Sequence, residues 1–309
     1  MTTHKEKSEQ MREELADNLI KLIESEGLNW KRTWNPVAFL PTNGSSGNLY
    51  HGVNRMNLAM TAMMREYSDP RWVTAHQAFQ KGWKIKKGEK AAIVEKWGMI
   101  TFEKQTKDNQ DLDNNNKEVV MVPRLQRIYH VFNFDQLIGP EPYIDNSECK
   151  QGFELADELI AMSRCSVCEV ASGRACYQPT LDRIVLPLRQ VFDGPDQFVA
   201  TLIHEMAHST GHVSRLNRLG DINYFGSESY ALEELRAEFS SVFIQASLGI
   251  NLEAQHVENH AAYLQSWLGA IKKDKNVLFS AISDAEKISD YLLDDYQSYK
   301  GNTSASNVA

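Results

Sequence analysis

Residues 204–212 read HEMAHSTGH and place His204 and His208 four positions apart. On an α-helix this spacing puts both imidazoles on one face, where they can reach a single metal ion. Glu205 follows the first histidine, and a carboxylate there can act as a general base toward a water molecule. The apolar run 198–203 and Gly211 predict a partly buried helix that stops near residue 211. This is the HExxH spacing of zinc peptidases, and the alternative is a buried helix with two incidental histidines.

A catalytic zinc site needs a third protein ligand, and the sequence offers two candidates. His212 lies eight residues after His204, about 12 Å further along a continuous helix, so it could bind only if Gly211 breaks the helix. The helix predicted over 230–243 carries Glu234 and Glu238 four positions apart on one face. We predict Glu234 as the ligand and Glu238 as the acceptor for the free N–H of a ligand histidine. A solvated acidic helix face is the alternative.

Zinc is the predicted cofactor, although histidine and carboxylate ligands also bind manganese, cobalt or nickel. Peptide hydrolysis further requires a hydrogen-bond donor for the developing oxyanion. Tyr224 and Tyr230 are the nearest candidates along the chain, and the sequence does not choose between them.

Targeting and membrane segments are not expected. No stretch approaches the ~18 apolar residues of a membrane span, so no membrane partner is predicted. The first twelve residues are charged and lack the apolar stretch of a signal peptide, which predicts a cytoplasmic protein.

Charge is distributed unevenly along this chain, whose net charge is −8. Residues 1–145 hold 20 Lys and Arg against 19 Asp and Glu, whereas residues 146–309 hold 13 against 22. Within the first half, residues 71–97 contain seven basic and two acidic side chains. The total charge argues against a nucleic-acid partner, but this local excess does not.

The first half also holds the two residue types that single-strand DNA binding requires, cations along the backbone and aromatic stacking platforms. The alternative is that the tryptophans are core residues and the lysines form a solvated turn. The candidate cations are Arg55, Arg71, Lys84, Lys86, Lys87, Lys90 and Arg127, and the candidate platforms are Trp30, Trp34, Tyr50, Trp72, Trp83, Trp97 and Tyr129.

The pattern of apolar residues predicts an α+β fold with a boundary near residue 145. Residues 1–145 are expected to combine helices with an antiparallel sheet, and residues 146–300 to be mainly helical, with 182–188 as the clearest strand of that half. The strands of the first half are predicted at 92–97, 99–102, 119–122 and 127–134, with a polar hairpin tip over 105–118. Small polar residues at 301–309 predict a disordered tail.

A series of short motifs resembles the ArdC antirestriction proteins of conjugative plasmids, whose N-terminal region is shared with TraC-type plasmid primases. The matching stretches are 50–54 (YHGVN), 72–78 (WVTAHQA), 87–90 (KGEK), 129–133 (YHVFN), 182–187 (DRIVLP), 204–212 (HEMAHSTGH), 214–216 (SRL) and 230–235 (YALEEL). The resemblance implies a single-stranded DNA-binding domain followed by a zincin-like metallopeptidase domain of the HExxH…E type. Together these domains would protect incoming plasmid DNA from host restriction.

Three functional interpretations follow. The leading one is a DNA-associated antirestriction protein whose peptidase domain acts in the recipient cell, with a protein of a restriction system as its expected substrate. The second is a single-stranded DNA-binding protein with a structural or vestigial metal site, which protects DNA by coating it. The third is a peptidase whose basic N-terminal domain recognises a protein.

Overall fold

A computed structural model describes residues 3–26, 36–105, 117–145, 153–171, 174–219, 228–250, 252 and 260–306. These residues form eight α-helices and nine β-strands, which confirms the predicted α+β class. None of the described helices has the length and apolar character needed to cross a membrane.

The first half builds a four-stranded sheet with helices beside it. The strand order in that sheet is β1-β2-β5-β4, in which β4 and β5 form a long hairpin. A separate two-stranded ribbon joins β3 and β6. The elements are α1 (His4–Glu26), β1 (Thr42–Asn43), α2 (Gly52–Met64), β2 (Arg71–Thr74), α3 (Ala75–Gln80), β3 (Lys84–Ile85), β4 (Ala92–Gln105), β5 (Lys117–Asn133) and β6 (Leu137–Ile138).

The four strand segments predicted between residues 92 and 134 are two continuous strands. The β4–β5 ladder shifts its register at a bulge between Lys96 and Trp97 and continues through Gly98, where the sequence predicted a break. The ladder extends to the pair Gln105 and Lys117. Most of the predicted hairpin tip, residues 106–116, lies outside the described residues.

The second half places one small sheet among helices. Strand β9 lies at its centre, parallel to β7 and antiparallel to β8, which agrees with the strand predicted at 182–188. The elements are α4 (Glu154–Met162), β7 (Ser166–Val170), β8 (Cys176–Gln178), β9 (Arg183–Pro187), α5 (Pro195–Ser209), α6 (Glu228–Ser247), α7 (His260–Lys273) and α8 (Asn276–Ser306).

Helix α8 corrects the prediction for the end of the chain. It continues through Ser306, six residues into the segment expected to be disordered. Extending an existing helix costs far less than nucleating one, so small polar residues can remain helical at its end. Residues 307–309 lie outside the described part.

A single apolar core crosses the predicted boundary near residue 145. It joins Leu15 and Leu19 of α1 and Met56 of α2 to Phe239 and Phe243 of α6. Residues of α7 and α8 complete it, among them Trp267, Ile271, Leu278 and Ile282. The two halves are therefore packed against each other through α6, α7 and α8.

Arg55 is a buried cation within this contact. Its side chain donates to the carbonyl oxygens of Phe39 at 2.6 Å and Phe243 at 3.0 Å. The guanidinium also lies 3.4 Å from Glu286 and 4.3 Å from the centre of the Phe243 ring. Arg55 is 1% exposed, so the prediction that it contacts DNA is wrong. Its partners lie on both halves of the chain, which the sequence does not reveal.

Glu95 of β4 holds α1 against the sheet. Its carboxylate accepts hydrogen bonds from Ser8, from Arg12 at 2.8 and 2.7 Å, and from the Trp97 indole at 2.7 Å. Burial by itself would raise the pKa of Glu95, but the hydrogen bonds from Arg12, Ser8 and Trp97 outweigh burial and lower this pKa. The ionised carboxylate is thus the form that stabilises the fold.

We expect Arg55→Ala to lower the free energy of unfolding by about 3–5 kcal/mol, because it leaves Glu286 and two carbonyl groups buried without their cation. Urea denaturation would measure this change, with Lys84→Ala on the exposed surface as the control, expected within about 0.5 kcal/mol of wild type. A loss below about 1 kcal/mol for Arg55→Ala would show that the contact between the halves does not depend on this side chain.

We expect Glu95→Gln to destabilise the protein by about 1–3 kcal/mol at neutral pH, where charge-assisted hydrogen bonds are lost. The folded-state pKa lies below the unfolded value of about 4.3, so wild type has this stabilisation above pH ~4.3 and loses it as pH falls through the folded pKa. The difference between wild type and variant should therefore shrink in acid. Denaturation at several pH values, with exposed Glu66→Gln as the control, tests this; a difference independent of pH would contradict it.

Candidate metal centre

Helix α5 carries the two histidines on a well-defined helical frame. Pro195 opens the helix, where its missing N–H removes no intrahelical bond. Buried apolar side chains, including Phe198, Leu202 and Met206, pack one side of α5 against the small sheet, α4 and α8. The helix ends at Ser209, and a side chain at Gly211 would come within 2.6 Å of Leu219. The predicted stop near Gly211 is therefore reinforced by close packing.

His204, His208 and Glu234 meet at one buried point between α5 and α6. The two Nε2 atoms lie 3.1 Å apart, and each lies 3.6 Å from an oxygen of the Glu234 carboxylate. All three ligand atoms lie within 4.8 Å of one another. Two imidazoles and a carboxylate are ligands that divalent transition metals accept, so the residues fit such an ion.

The charges of the cluster favour a cation at this point. Burial favours the neutral form of Glu234, but His208 and His204 hold its pKa well below the usual range. Burial alone would lower the pKa of His204, whereas Glu234 and Glu238 raise it to about 9. The carboxylates therefore stabilise positive charge on or between the imidazoles. A metal ion would replace the imidazole protons, because ligand histidines must be neutral.

Each histidine has a carboxylate beside its second ring nitrogen. Glu238 lies 3.3 Å from Nδ1 of His204, the position predicted for an orienting acceptor. Glu233 lies 3.4 Å from Nδ1 of His208. Glu233 was not predicted from the sequence, because it does not share the helical face of Glu234 and Glu238.

Arg218 holds Glu233 in place. Its guanidinium donates to Glu233 at 2.8 Å, to the Thr210 hydroxyl at 2.7 Å and to the Ala207 carbonyl at 3.0 Å. The chain of contacts therefore runs from Arg218 through Glu233 to His208. The sequence shows an arginine shortly after the histidine motif, but its spacing does not predict that Arg218 pairs with Glu233 of α6.

His212 lies away from the three converging ligands. Its Nδ1 lies 2.8 Å from the Ser214 hydroxyl and 3.9 Å from Asp182. The helix does end before His212, as ligation would require, but the turn directs the ring toward Asp182. Glu234 thus lies where the third ligand is expected, and His212 does not.

Glu205 is buried and oriented by the small sheet. Its Oε2 accepts a 2.6 Å hydrogen bond from the backbone N–H of Tyr177 in β8. Burial raises the pKa of Glu205, and His204 and His208 only partly oppose this. The Tyr177 hydroxyl in turn donates to Asp182 at 2.7 Å, and Arg215 contacts both groups. A backbone donor of this kind has no signature in the sequence.

Of the two tyrosines predicted as oxyanion donors, the structure describes only Tyr230. Tyr224 lies outside the described residues. Tyr230 lies one turn before Glu234 on α6, is half-buried, and packs against the core shared by the two halves. The oxyanion role of Tyr230 stays a prediction.

The predicted DNA-contact residues divide into buried and exposed groups. Trp72 is 1% exposed and belongs to the core beneath the sheet, so its prediction as a stacking platform is wrong in the same way as that of Arg55. Tyr50 and Tyr129 are half-buried against that core, and Trp83 packs on Phe134 at 4.9 Å. These four aromatic side chains are wholly or partly buried because they pack into the apolar clusters beside the sheet.

The predicted lysines and one arginine are on the surface. Arg127 is exposed and lies 5.9 Å from the Tyr129 ring, whereas Arg71 is paired with Asp69 at 2.6 Å. Trp97 is exposed on the β4–β5 hairpin. Trp30 and Trp34 lie outside the described residues. The exposed lysines are Lys84, Lys86, Lys87 and Lys90.

Two family models match the chain, one in each half. The model described as the N-terminal domain of the anti-restriction factor ArdC matches residues 9–132. The model described as a zincin-like metallopeptidase matches residues 154–284, which include α5 and α6.

Similar proteins cover nearly the whole chain. A DNA primase TraC of Escherichia coli is 35% identical over an aligned length of 294 residues, and the match covers 91% of this chain and 27% of the primase. The chain therefore spans about a quarter of the length of that relative. A protein of Sinorhizobium fredii (strain NBRC 101917 / NGR234), named Uncharacterized protein y4eC, is 30% identical and is matched over 90% of its length.

Solved structures with the same fold are also found. The crystal structure of the metal-free antirestriction ArdC protein from the R388 plasmid has a TM-score of 0.73 and 33% identity, covering 93% of this chain and 98% of that one. The Mn(II)-bound structure has a TM-score of 0.72 and 34% identity, covering 92% and 97%. Together with the zincin-like domain, the Mn(II)-bound relative supports a divalent metal as the cofactor.

We expect Arg218→Gln to weaken binding of a divalent metal about 10- to 100-fold, because Glu233 would no longer be held against His208. Calorimetric titration with Mn(II) and with Zn(II) would measure the affinity, and circular dichroism would verify the fold. The matched control is Arg164→Gln, which removes an exposed arginine paired with Asp295. Equal affinities for the two variants would rule out this role for Arg218.

Proposed function

Because the chain belongs to the ArdC family of antirestriction proteins, we propose that it protects incoming plasmid DNA from host restriction during conjugation. In this proposal residues 1–145 bind single-stranded DNA and residues 146–300 form an active metallopeptidase domain. The proposed place of action is the cytoplasm of the recipient cell, and the proposed protein substrate belongs to a restriction system.

The observation that carries the peptidase proposal is the convergence of His204, His208 and Glu234 at one point. Glu205 directly follows His204 in the chain. The two Nε2 atoms and the Glu234 carboxylate would hold the ion. A bound divalent ion would supply a Lewis acid for the substrate carbonyl. Glu205 would accept a proton from the attacking water and pass it to the leaving amine. The raised pKa of Glu205, caused mainly by burial, suits a group that both accepts and donates a proton.

We propose zinc as the resident ion and manganese as the alternative. The nitrogen and carboxylate donors suit zinc, and the Mn(II)-bound structure of a relative supports manganese. Glu238 and Glu233 would each fix the orientation of one ligand imidazole through its Nδ1 atom.

A second candidate function is protection by coating DNA, with a metal that only stabilises the fold. The observation that favours it is burial: His204 and Glu205 are each 5% exposed, and Glu234 is 7% exposed. Structural metal sites are closed, whereas catalytic sites keep a position open to water or substrate.

We expect Glu205→Gln to bind metal as wild type does but to lose protection, because proton transfer by such a group contributes about 10²- to 10⁴-fold in rate. The measurement is the ratio of transconjugants in restricting and non-restricting recipients, together with the metal content of the purified protein. Glu154→Gln, an exposed carboxylate on α4, is the matched control. Full protection by the metal-loaded Glu205→Gln variant would reject hydrolysis as the mechanism and favour coating.

A further inference from the structure

A basic surface surrounds α3 and β3 in the first half of the chain. Residues 75–90, which we call the α3–β3 ridge, contain five lysines and one carboxylate, Glu89. The ridge therefore has a net charge of +4 within a chain whose net charge is −8. All five lysines, Lys81, Lys84, Lys86, Lys87 and Lys90, are exposed.

The backbone of the α3–β3 ridge is held in place by many hydrogen bonds. Thr74 and Gln77 form a capping box at the start of α3, and the Trp83 N–H donates to the Ala78 carbonyl at 3.0 Å. Strand β3 pairs with β6, and the Lys86 N–H donates to the Gln136 carbonyl at 2.9 Å. The outward side chains of the ridge therefore project from an ordered backbone.

The α3–β3 ridge lies on a small apolar core of its own. Ala78, Trp83 and Ile85 face this core, which also contains Val73, Phe134 and Leu137. That core is distinct from the one shared by the two halves and from the one beneath α5. Substitutions on the outer face of the ridge should therefore leave the metal centre intact.

Phe79 is an exposed aromatic residue of the α3–β3 ridge. It is 80% exposed, although Ala78 next to it is buried. His76, three residues earlier, shares its helical face and is also exposed. An exposed ring leaves apolar surface in water, and Phe79 belongs to none of the apolar clusters formed by the described residues. The same ring can serve as a stacking platform for a base.

The positive charges of the α3–β3 ridge are not neutralised internally. Among the described residues, no carboxylate lies within 4.0 Å of any of its five lysines. The Lys86 ammonium donates to the Asp135 carbonyl at 2.7 Å. By contrast, Lys272 and Lys275 of the second half pair with Glu24 and Asp17 at 2.6 Å. Cations without a carboxylate partner, on the same ordered segment as an exposed aromatic ring, match a flexible polyanion that has exposed bases.

We infer that the α3–β3 ridge is the single-stranded DNA-binding surface, with Phe79 stacking on a base and Lys84 and Lys87 contacting phosphates. This inference rests on the proposed DNA-binding function and assigns it to a place in the fold. A single strand fits better than a duplex, because stacking on Phe79 requires a base whose face is free. In this assignment the ridge provides the DNA contacts that the sequence had attributed to Trp72 and Arg55, both of which are buried.

The test is fluorescence anisotropy of the full-length protein with a labelled single strand of mixed sequence and with its duplex. We expect Phe79→Ala to weaken single-strand binding about 5- to 150-fold, the range for one stacked base, with a much smaller effect on the duplex. The double variant Lys84→Ala/Lys87→Ala should reduce the slope of log affinity against log salt by about 1.4, since each phosphate contact to a single strand contributes ~0.7.

The matched control is Met121→Ala, an apolar residue that is 60% exposed on the β4–β5 hairpin. Its affinity for the single strand should equal that of wild type. If wild type binds the single strand but neither ridge variant weakens it, DNA binding stands and this location is wrong. If Phe79→Ala weakens duplex and single strand equally, stacking on a free base is overturned. If wild type fails to bind at low salt, the proposed DNA-binding function fails and the inference fails with it.

Discussion

The contact between α5 and α6 organises this protein. Helix α6 brings Glu233, Glu234 and Glu238 to the two histidines of α5. Carboxylates and imidazoles buried to this extent are stable only as mutual partners or as ligands of an ion, because an isolated buried charge is very costly. The position of α6 is therefore constrained by electrostatics on one face. On its other face, Phe239 and Phe243 constrain it by packing against the N-terminal half.

The same helix makes the two halves interdependent. Arg55 of α2 reaches the backbone of α6 at Phe243 and the carboxylate of Glu286 on α8. One family model ends at residue 132 and the other begins at residue 154. The apolar core nevertheless contains residues from both sides of this division. A helix that carries a proposed metal ligand is thus in direct contact with the proposed DNA-binding half. The α3–β3 ridge, on its own small core, lies apart from this contact.

Charge is used differently in the two halves. In the second half and at its contact with α1, cations are mostly paired, as in Arg218 with Glu233 and Lys275 with Asp17. The lysines of the α3–β3 ridge are exposed and have no carboxylate beside them in the described structure. The first arrangement orients side chains inside the fold, and the second leaves positive charge available to a partner. A total charge of −8 conceals this difference.

Local periodicity was enough to predict the α+β class, strand β9, helix α6, and the helix that presents His204 and His208 on one face. Helix geometry placed Glu234 and Glu238 on one face, but the position of His212 was decided by the turn after Ser209, which directs its ring toward Asp182. What the sequence could not decide was burial and long-range pairing. Trp72 and Arg55 have the residue types of a DNA surface, but tertiary packing places both in the interior. Glu233, Arg218 and the Tyr177 N–H acquire their roles only when α5, α6 and β8 meet, because partners far apart in sequence leave no spacing to read.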